Sequence, residues 1–212
     1  MIPRLRKQPE KKSCHGYDWI DEYSWIHQDN CLEILTDTNK LNPEVKKYLD
    51  KENSYTSEKM KDTESLQKKL FDEIESRIKL EDESLPYKDK KYEYWTKTTK
   101  DGNYYKKLRR KISSNITECY FDADLEAKGK KFFSTGDLTV SYNDELLAYS
   151  IDDKGGEYFD IFIRRISDNK IIEKIDSTAG GVVWAYDDRS FFLQETRQTK
   201  KTQTNFSAHN RC

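Results

Sequence analysis

The chain has 212 residues, of which 34% are apolar and 13% aromatic, enough for the core of one large domain or two small ones and too many for a wholly disordered chain. Its 38 Lys and Arg nearly cancel its 39 Asp and Glu, for a formal net charge of −1, so no global field steers it toward nucleic acid or an anionic membrane. A charged fraction of 36% against the usual quarter or so, with a mean hydropathy of −1.04, describes a wet surface that suits a fragment or an extended chain.

The first segment, Met1 to Lys12, is basic but runs into Ser13-Cys14-His15-Gly16-Tyr17-Asp18 rather than an apolar stretch, so no signal peptide is expected. Nor does any later segment approach the roughly 18 apolar residues of a membrane span. The first half then reads as helical. Asn42-Pro43-Glu44 offers an N-cap, a proline at the first helical position and an early acid, which together start a helix before Val45, Tyr48 and Leu49. A second helix is expected over Asp62 to Lys79, where Leu66, Leu70, Ile74 and Ile78 recur every four residues and make one apolar stripe. Glu73 with Arg77 and Glu75 with Lys79 are acid-first pairs four residues apart, the favourable order.

At Leu85-Pro86 the pattern changes to short strands and turns. Lys91 to Thr98, the turn Lys100-Asp101-Gly102-Asn103, and Tyr104 to Lys111 read as a hairpin, since Asp-Gly favours tight turns. Further turns are expected at Asn143-Asp144, Asp153-Lys154-Gly155-Gly156 and Ser167-Asp168-Asn169. Between them lie strands over Leu146–Ile151, Tyr158–Ile166 and Lys170–Ile175; in the middle one Phe159, Ile161 and Ile163 alternate as a strand with one buried face would. An internal echo suggests the architecture. Ser141-Tyr142-Asn143-Asp144 before Leu146-Leu147-Ala148-Tyr149, and Ala185-Tyr186-Asp187-Asp188 before Ser190-Phe191-Phe192-Leu193, repeat a Tyr-(Asn/Asp)-Asp turn at a period that fits one four-stranded propeller blade. The fold class that follows is α+β: a helical arm over residues 1–85, antiparallel strands of an incomplete propeller over 86–195, about two blades of it, and a polar, unstructured tail over 196–212.

Ordered matches over most of the chain carry a family resemblance. His15-Gly16 with Asp21-Glu22-Tyr23-Ser24-Trp25-Ile26, then Pro43-Glu44-Val45, Tyr48-Leu49, Glu52-Asn53-Ser54-Tyr55, Leu66 to Leu70, Lys128-Gly129-Lys130-Lys131-Phe132-Phe133, Leu146 to Ser150 and Gly181-Val182-Val183-Trp184-Ala185 resemble the start of serine peptidases of the prolyl oligopeptidase family, oligopeptidase B type. The resemblance implies an amino-terminal arm that packs on a carboxy-terminal α/β-hydrolase domain, a seven-bladed propeller that caps it and admits only short peptides, and cleavage after Arg or Lys in the cytoplasm by a Ser, Asp and His triad in the hydrolase domain. On that reading this chain supplies the arm and the opening blades, and the partners are short basic peptides and a separately encoded hydrolase domain, with no nucleic acid and no membrane. The tail from Thr196 to Cys212 does not resemble the strand expected there, which suggests a truncated reading frame. A truncated peptidase fragment, one half of a split enzyme and a stand-alone interaction module are the three classes of function left open.

No chemistry is expected from this chain alone, so it has no catalytic, cofactor-binding or metal site. The nucleophile elbow G-x-S-x-G, whose small flanking residues expose the serine, does not occur. Ser13 beside His15, and His27 with Asp29, read as surface or packing residues. Thr178-Ala179-Gly180-Gly181 lacks the ending of a P-loop and the glycine spacing of a dinucleotide fingerprint, and reads as a turn into a strand over Val182–Ala185. The carboxylates Asp18, Asp21 and Glu22, and Asp122, Asp124 and Glu126, lack a calcium-loop pattern and read as solvated faces or caps. Cys14, Cys31, Cys119 and Cys212 have no Cys-x-x-Cys spacing and read as reduced thiols; His15, His27 and His209 add no metal set. Tyr104 and Tyr105 beside Lys106, Lys107, Arg109, Arg110 and Lys111 could stack bases and neutralise phosphates, but read as a hairpin strand with one charged face.

Overall fold

The structure, a computed structural model, describes residues 2–195 and 206–210. The chain divides into two compact units, residues 1–78 and 79–212, so the division falls a little before the change of pattern at Leu85-Pro86.

The first unit is not wholly helical. It opens with a hairpin of β1 (Glu10–Cys14) and β2 (Tyr17–Asp21), in which Cys14 pairs with Tyr17. The two loop residues, His15 at φ 51° and Gly16 at φ 82°, both lie in the left-handed region that a two-residue hairpin turn with strand-matching twist demands. These strands carry no apolar alternation, and that is why the hairpin escapes a reading by period. A short α1 (Cys31–Thr36) follows, then α2 (Pro43–Met60) and α3 (Glu64–Ser76), joined through a 3₁₀ turn at Lys61–Thr63. The start of α2 is as expected: Pro43 is at the first position and the Asn42 side chain accepts from the Glu44 amide at 2.8 Å, satisfying one of the free donors at a helix start. Val45 is the buried residue of α2. On α3 Glu73 does pair with Arg77, but Lys79 does not return to Glu75; the helix stops at Ser76 and the Lys79 ammonium reaches Asp82 instead, at 2.6 Å.

The second unit is β-rich. A first sheet is made of β3 (Asp82–Glu83) and β4 (Tyr87–Asp89), both paired to β5 (Tyr92–Thr98), then β6 (Tyr105–Lys111) and β7 (Ile116–Asp122). The expected hairpin is β5–β6, in register from Tyr92↔Lys111 to Thr98↔Tyr105. A single turn of helix, α4 (Ala123–Ala127), crosses to β8 (Ser134–Val140), which leads into β9 (Leu146–Asp152), β10 (Phe159–Arg165), β11 (Ile171–Trp184), β12 (Ser190–Glu195) and β13 (Phe206–Asn210), each antiparallel to its neighbour.

Two corrections follow from β11 and β13. The strands expected over Lys170–Ile175 and Val182–Ala185 are one strand, and Thr178-Ala179-Gly180-Gly181 is not a turn between them. Its first half pairs with β10, from Arg164↔Ile171 to Phe159↔Thr178, and its second half with β12 at Val182↔Leu193 and Trp184↔Phe191. Between the halves the register shifts, with Ser177 at φ 57° and Gly180 at φ 88°, a bulge that bends the strand and adds twist. Side chains hold the bulge: Thr178 Oγ1 donates to the Phe159 carbonyl at 2.9 Å, Ser150 Oγ to the Gly180 carbonyl at 2.8 Å, and the Val182 amide to Asp137 at 3.1 Å. In the tail, Phe206–Asn210 forms β13 against β12, where an exposed strand edge offers unpaired amides and carbonyls; residues 196–205 and 211–212 lie outside the described residues.

β11 thus closes one four-stranded layer and opens the next, as successive propeller blades require. The internal echo marks this step. The turns after β8 and after β11 sit side by side, with the Tyr142 and Tyr186 rings 4.9 Å apart and the Asn143 amide donating to Asp188 at 2.9 Å. Two apolar clusters fill the spaces between layers. Tyr94, Tyr120, Phe121, Leu147, Tyr149 and Ile151 join the first two, and Ala148, Ile161, Ile163, Val182, Trp184 and Phe191 carry the core onward. Side chains of this size contribute about 1.5–3 kcal/mol each on burial.

Candidate functional site

Where the first two layers meet, the strands bring charged groups into the interior. Arg109 on β6 is buried. Its Nε donates to Glu118 at 2.7 Å, its Nη1 to the Asp144 carbonyl at 2.7 Å, and its guanidinium lies 4.2 Å from the Tyr92 ring centre. Tyr94 donates from its hydroxyl to Asp144 Oδ1 at 3.2 Å, and burial, aided by the Asp144 charge, pushes the phenol well above its ordinary range. On the other side of the layer, Arg164 on β10 donates to Glu126 of α4 at 2.6 Å and to the Tyr120 carbonyl at 2.9 Å, with its guanidinium 4.9 Å from the Tyr149 ring centre.

Both arginines reach from one layer to another, Arg109 from β6 to the Asp144 carbonyl and Arg164 from β10 to the Tyr120 carbonyl, while the Arg109–Glu118 pair stays within the first sheet. They tie the sheets in register, as buried charges must be paired to be tolerated. An open cleft beside Arg109, lined also by Lys91, Tyr92, Lys111, Asp144 and Arg165, carries charges of both signs. Among the described residues no group of three or more His, Cys, Asp or Glu side chains is placed to hold a metal ion.

The residues weighed in sequence fall into structural places. Ser13 and Lys11 hold the Asp18 carboxyl below its usual range, Lys11 most strongly, while His15 sits in the hairpin turn. His27 and Asp29 approach to 3.7 Å at the surface. Asp21 accepts from the Tyr23 amide at 2.8 Å and Glu22 pairs with Lys7 at 2.5 Å. Asp122 caps α4 through the Asp124 and Leu125 amides and also pairs with Lys106. Asp124 takes the amides of Asn103 and Tyr104, fastening the β5–β6 loop. The basic strand spends its charge internally: Lys106 on Asp122, Lys107 on Thr96 and over the Tyr105 ring, Arg109 on Glu118 and Arg110 on Glu93. Arg164 is the interlayer residue that sequence reasoning missed, and Arg109 reads there only as part of a charged strand face, because a side-chain contact at a separation of 38 residues, such as that of Glu126 on α4 with Arg164 on β10, leaves no local signal.

A model of the prolyl oligopeptidase N-terminal β-propeller domain matches residues 3–212. The chain belongs to that family. Within it, dipeptidyl aminopeptidase BI of Pseudoxanthomonas mexicana is 27% identical over 208 residues, covering 90% of this chain and 28% of the relative. Among solved structures, oligopeptidase B of Leishmania major superposes with a TM-score of 0.85 at 26% identity, over 99% of this chain and 31% of that one. Oligopeptidase B of Trypanosoma brucei, in a closed form with covalently bound antipain, gives 0.83 at 23% identity with the same coverage. This prolyl oligopeptidase propeller chain therefore spans less than a third of the length of these relatives. Among its described residues no helix is long and apolar enough to cross a membrane.

Proposed function

We propose that the chain is the amino-terminal portion of a cytoplasmic serine oligopeptidase of the oligopeptidase B type, which cleaves short peptides after Arg or Lys, and that the chain alone is inactive. The observation that carries this reading is the likeness to Leishmania major oligopeptidase B over 99% of the chain, in a sequence without a nucleophile elbow. The three described free cysteines, Cys14, Cys31 and Cys119, agree with a reducing compartment. In this role the chain supplies walls and access. Its layered strands, tied by Arg109 and Arg164, make the rigid opening of a cap that passes only short peptides. Its arm, with Tyr17 and Ile20 of the hairpin exposed, packs against the family's hydrolase domain, which brings nucleophile, base and oxyanion donors.

Hydrolysis of a fluorogenic peptide with Arg at the cleaved bond tests this, first with the chain alone and then with any polypeptide encoded immediately downstream. The expected result is silence from the chain alone; turnover in the mixture establishes a split peptidase. Turnover by the chain alone overturns the inactivity, and silence in both overturns the split-peptidase role in favour of a remnant fragment or a non-catalytic module.

A further inference from the structure

The repeated turn builds a ladder whose last rung is open. Tyr142-Asn143-Asp144 follows β8 and Tyr186-Asp187-Asp188 follows β11. Each holds its last aspartate in the left-handed region, Asp144 at φ 66° and Asp188 at φ 57°, which Asp tolerates in turns. The Asn143 side chain accepts from the Glu145 amide at 3.1 Å, and the Asp187 side chain from the Arg189 amide at 2.9 Å, so like residues fix like shapes. Where the turns meet, the Tyr142 and Tyr186 rings lie 4.9 Å apart and the Asn143 amide donates to Asp188 Oδ1 at 2.9 Å. One step earlier, Lys90 lays its ammonium 4.6 Å from the Tyr142 ring centre; at that step Asp144 accepts from the Tyr94 hydroxyl instead.

The ladder has a direction. At both steps the later turn supplies the ring, and at the second it also supplies the carboxylate that takes the earlier turn's amide. Beyond that step Tyr186 is 85% exposed. The Asp187 amide, the counterpart of the Asn143 amide, has no partner among the described residues. The face beneath agrees: Val183 and Phe192, paired across β11 and β12, are exposed, while Val182 and Leu193 bury on the opposite side. What fits Tyr186 and Asp187 is a turn with a ring and, two residues on, an aspartate, giving a ring pair and a charge-assisted hydrogen bond. A second copy of this chain does not offer one, since its Asp188 already accepts from Asn143. The chain matches a propeller family and spans less than a third of its relatives, and successive blades stand side by side. We propose that Tyr186 and the Asp187 amide dock the corresponding turn of the following blade, through its ring and its aspartate. The docking rests on membership of the propeller family and not on the peptidase reading.

NMR titration of the isotope-labelled full chain tests it. The probe is a cyclic peptide carrying residues 184–191 of this chain, closed between Trp184 and Phe191, which already face each other across the turn. In the peptide the ring and the aspartate of the turn are unengaged, so it stands in for the next blade. The Asp187 amide proton of the chain is expected to move downfield and saturate. Peptides with Asp188→Asn or Tyr186→Ser are each expected to bind at least about threefold more weakly, having lost the ionic acceptor or the ring. A chain with Tyr186→Ser is expected to lose the saturating shift; the side chain is exposed, so the fold survives, and the rest of the spectrum checks that it does. No saturating shift at Asp187 overturns the proposal, and so do altered peptides that bind as well as the original. The titration reads docking whether or not any mixture shows turnover, so this proposal and the peptidase reading fail separately.

Discussion

Tyr149 shows how one side chain carries several duties in the core. It is stacked on Phe162, edge-on to Phe121, and covered by the Arg164 guanidinium. Its hydroxyl is turned toward Glu126 at 3.5 Å. Burial first, and the Glu126 charge second, push its phenol up to about 12 from an ordinary value near 10. The folded chain therefore holds the proton that an unfolded chain gives up above pH ~10. The stability this contributes is complete below pH ~10, falls as the pH rises through the folded value, and amounts to roughly 3 kcal/mol. Urea unfolding midpoints are expected to drop across that alkaline window. Tyr149→Phe is expected to flatten the drop in part, because Tyr94 and Tyr120 are raised by burial as well. A slope unchanged by the substitution places the titration elsewhere.

The bulged strand β11 illustrates what an element demands of single residues. Gly180 lies at φ 88°, and a Cβ there comes within 2.8 Å of the Phe159 ring. Gly180→Ala therefore has to distort the bulge or displace a ring of the core, and a loss of about 2 kcal/mol is expected from thermal or urea unfolding. Gly181, with open backbone angles and its nearest neighbour at 3.8 Å, serves as the control that tolerates Ala. The sequence discloses some elements and hides others for reasons of this kind. Asn42-Pro43 announces α2 because capping chemistry is local, and Phe159, Ile161 and Ile163 announce β10 because one face is dry. The hairpin at His15-Gly16 could have been found from its turn pair, though no apolar period supports it. The unity of β11 could not be found locally, since its two halves serve different layers and Gly180-Gly181 imitates a loop. Asp122 and Asp124 reveal a cap in retrospect, but which amides they receive depends on α4, a single turn too short to show a period.

At the scale of the molecule, composition and charge described a wet chain, and the structure distributes that charge in two ways. In the arm unit the ion pairs are at the surface, as between Lys46 and Asp50 or Lys68 and Asp72, where each contributes well under about 1 kcal/mol. In the strand unit Arg109 and Arg164 take charge inside and cross from layer to layer through the Asp144 and Tyr120 carbonyls. The layers are joined a second time by the chain itself, because β11 belongs to two of them. That sharing has a consequence for how the molecule opens. Neither layer can release its hydrogen bonds to β11 without loosening the bulge that anchors the other, so the two behave as coupled neighbours in a one-dimensional array. In native-state hydrogen exchange the amides of Ile175, opposite Ile161 of β10, and Val183, opposite Phe192 of β12, are expected to report one opening free energy and the same sensitivity to denaturant. Two distinct values are expected only if the bulge acts as a breakpoint, in which case each layer frays by itself.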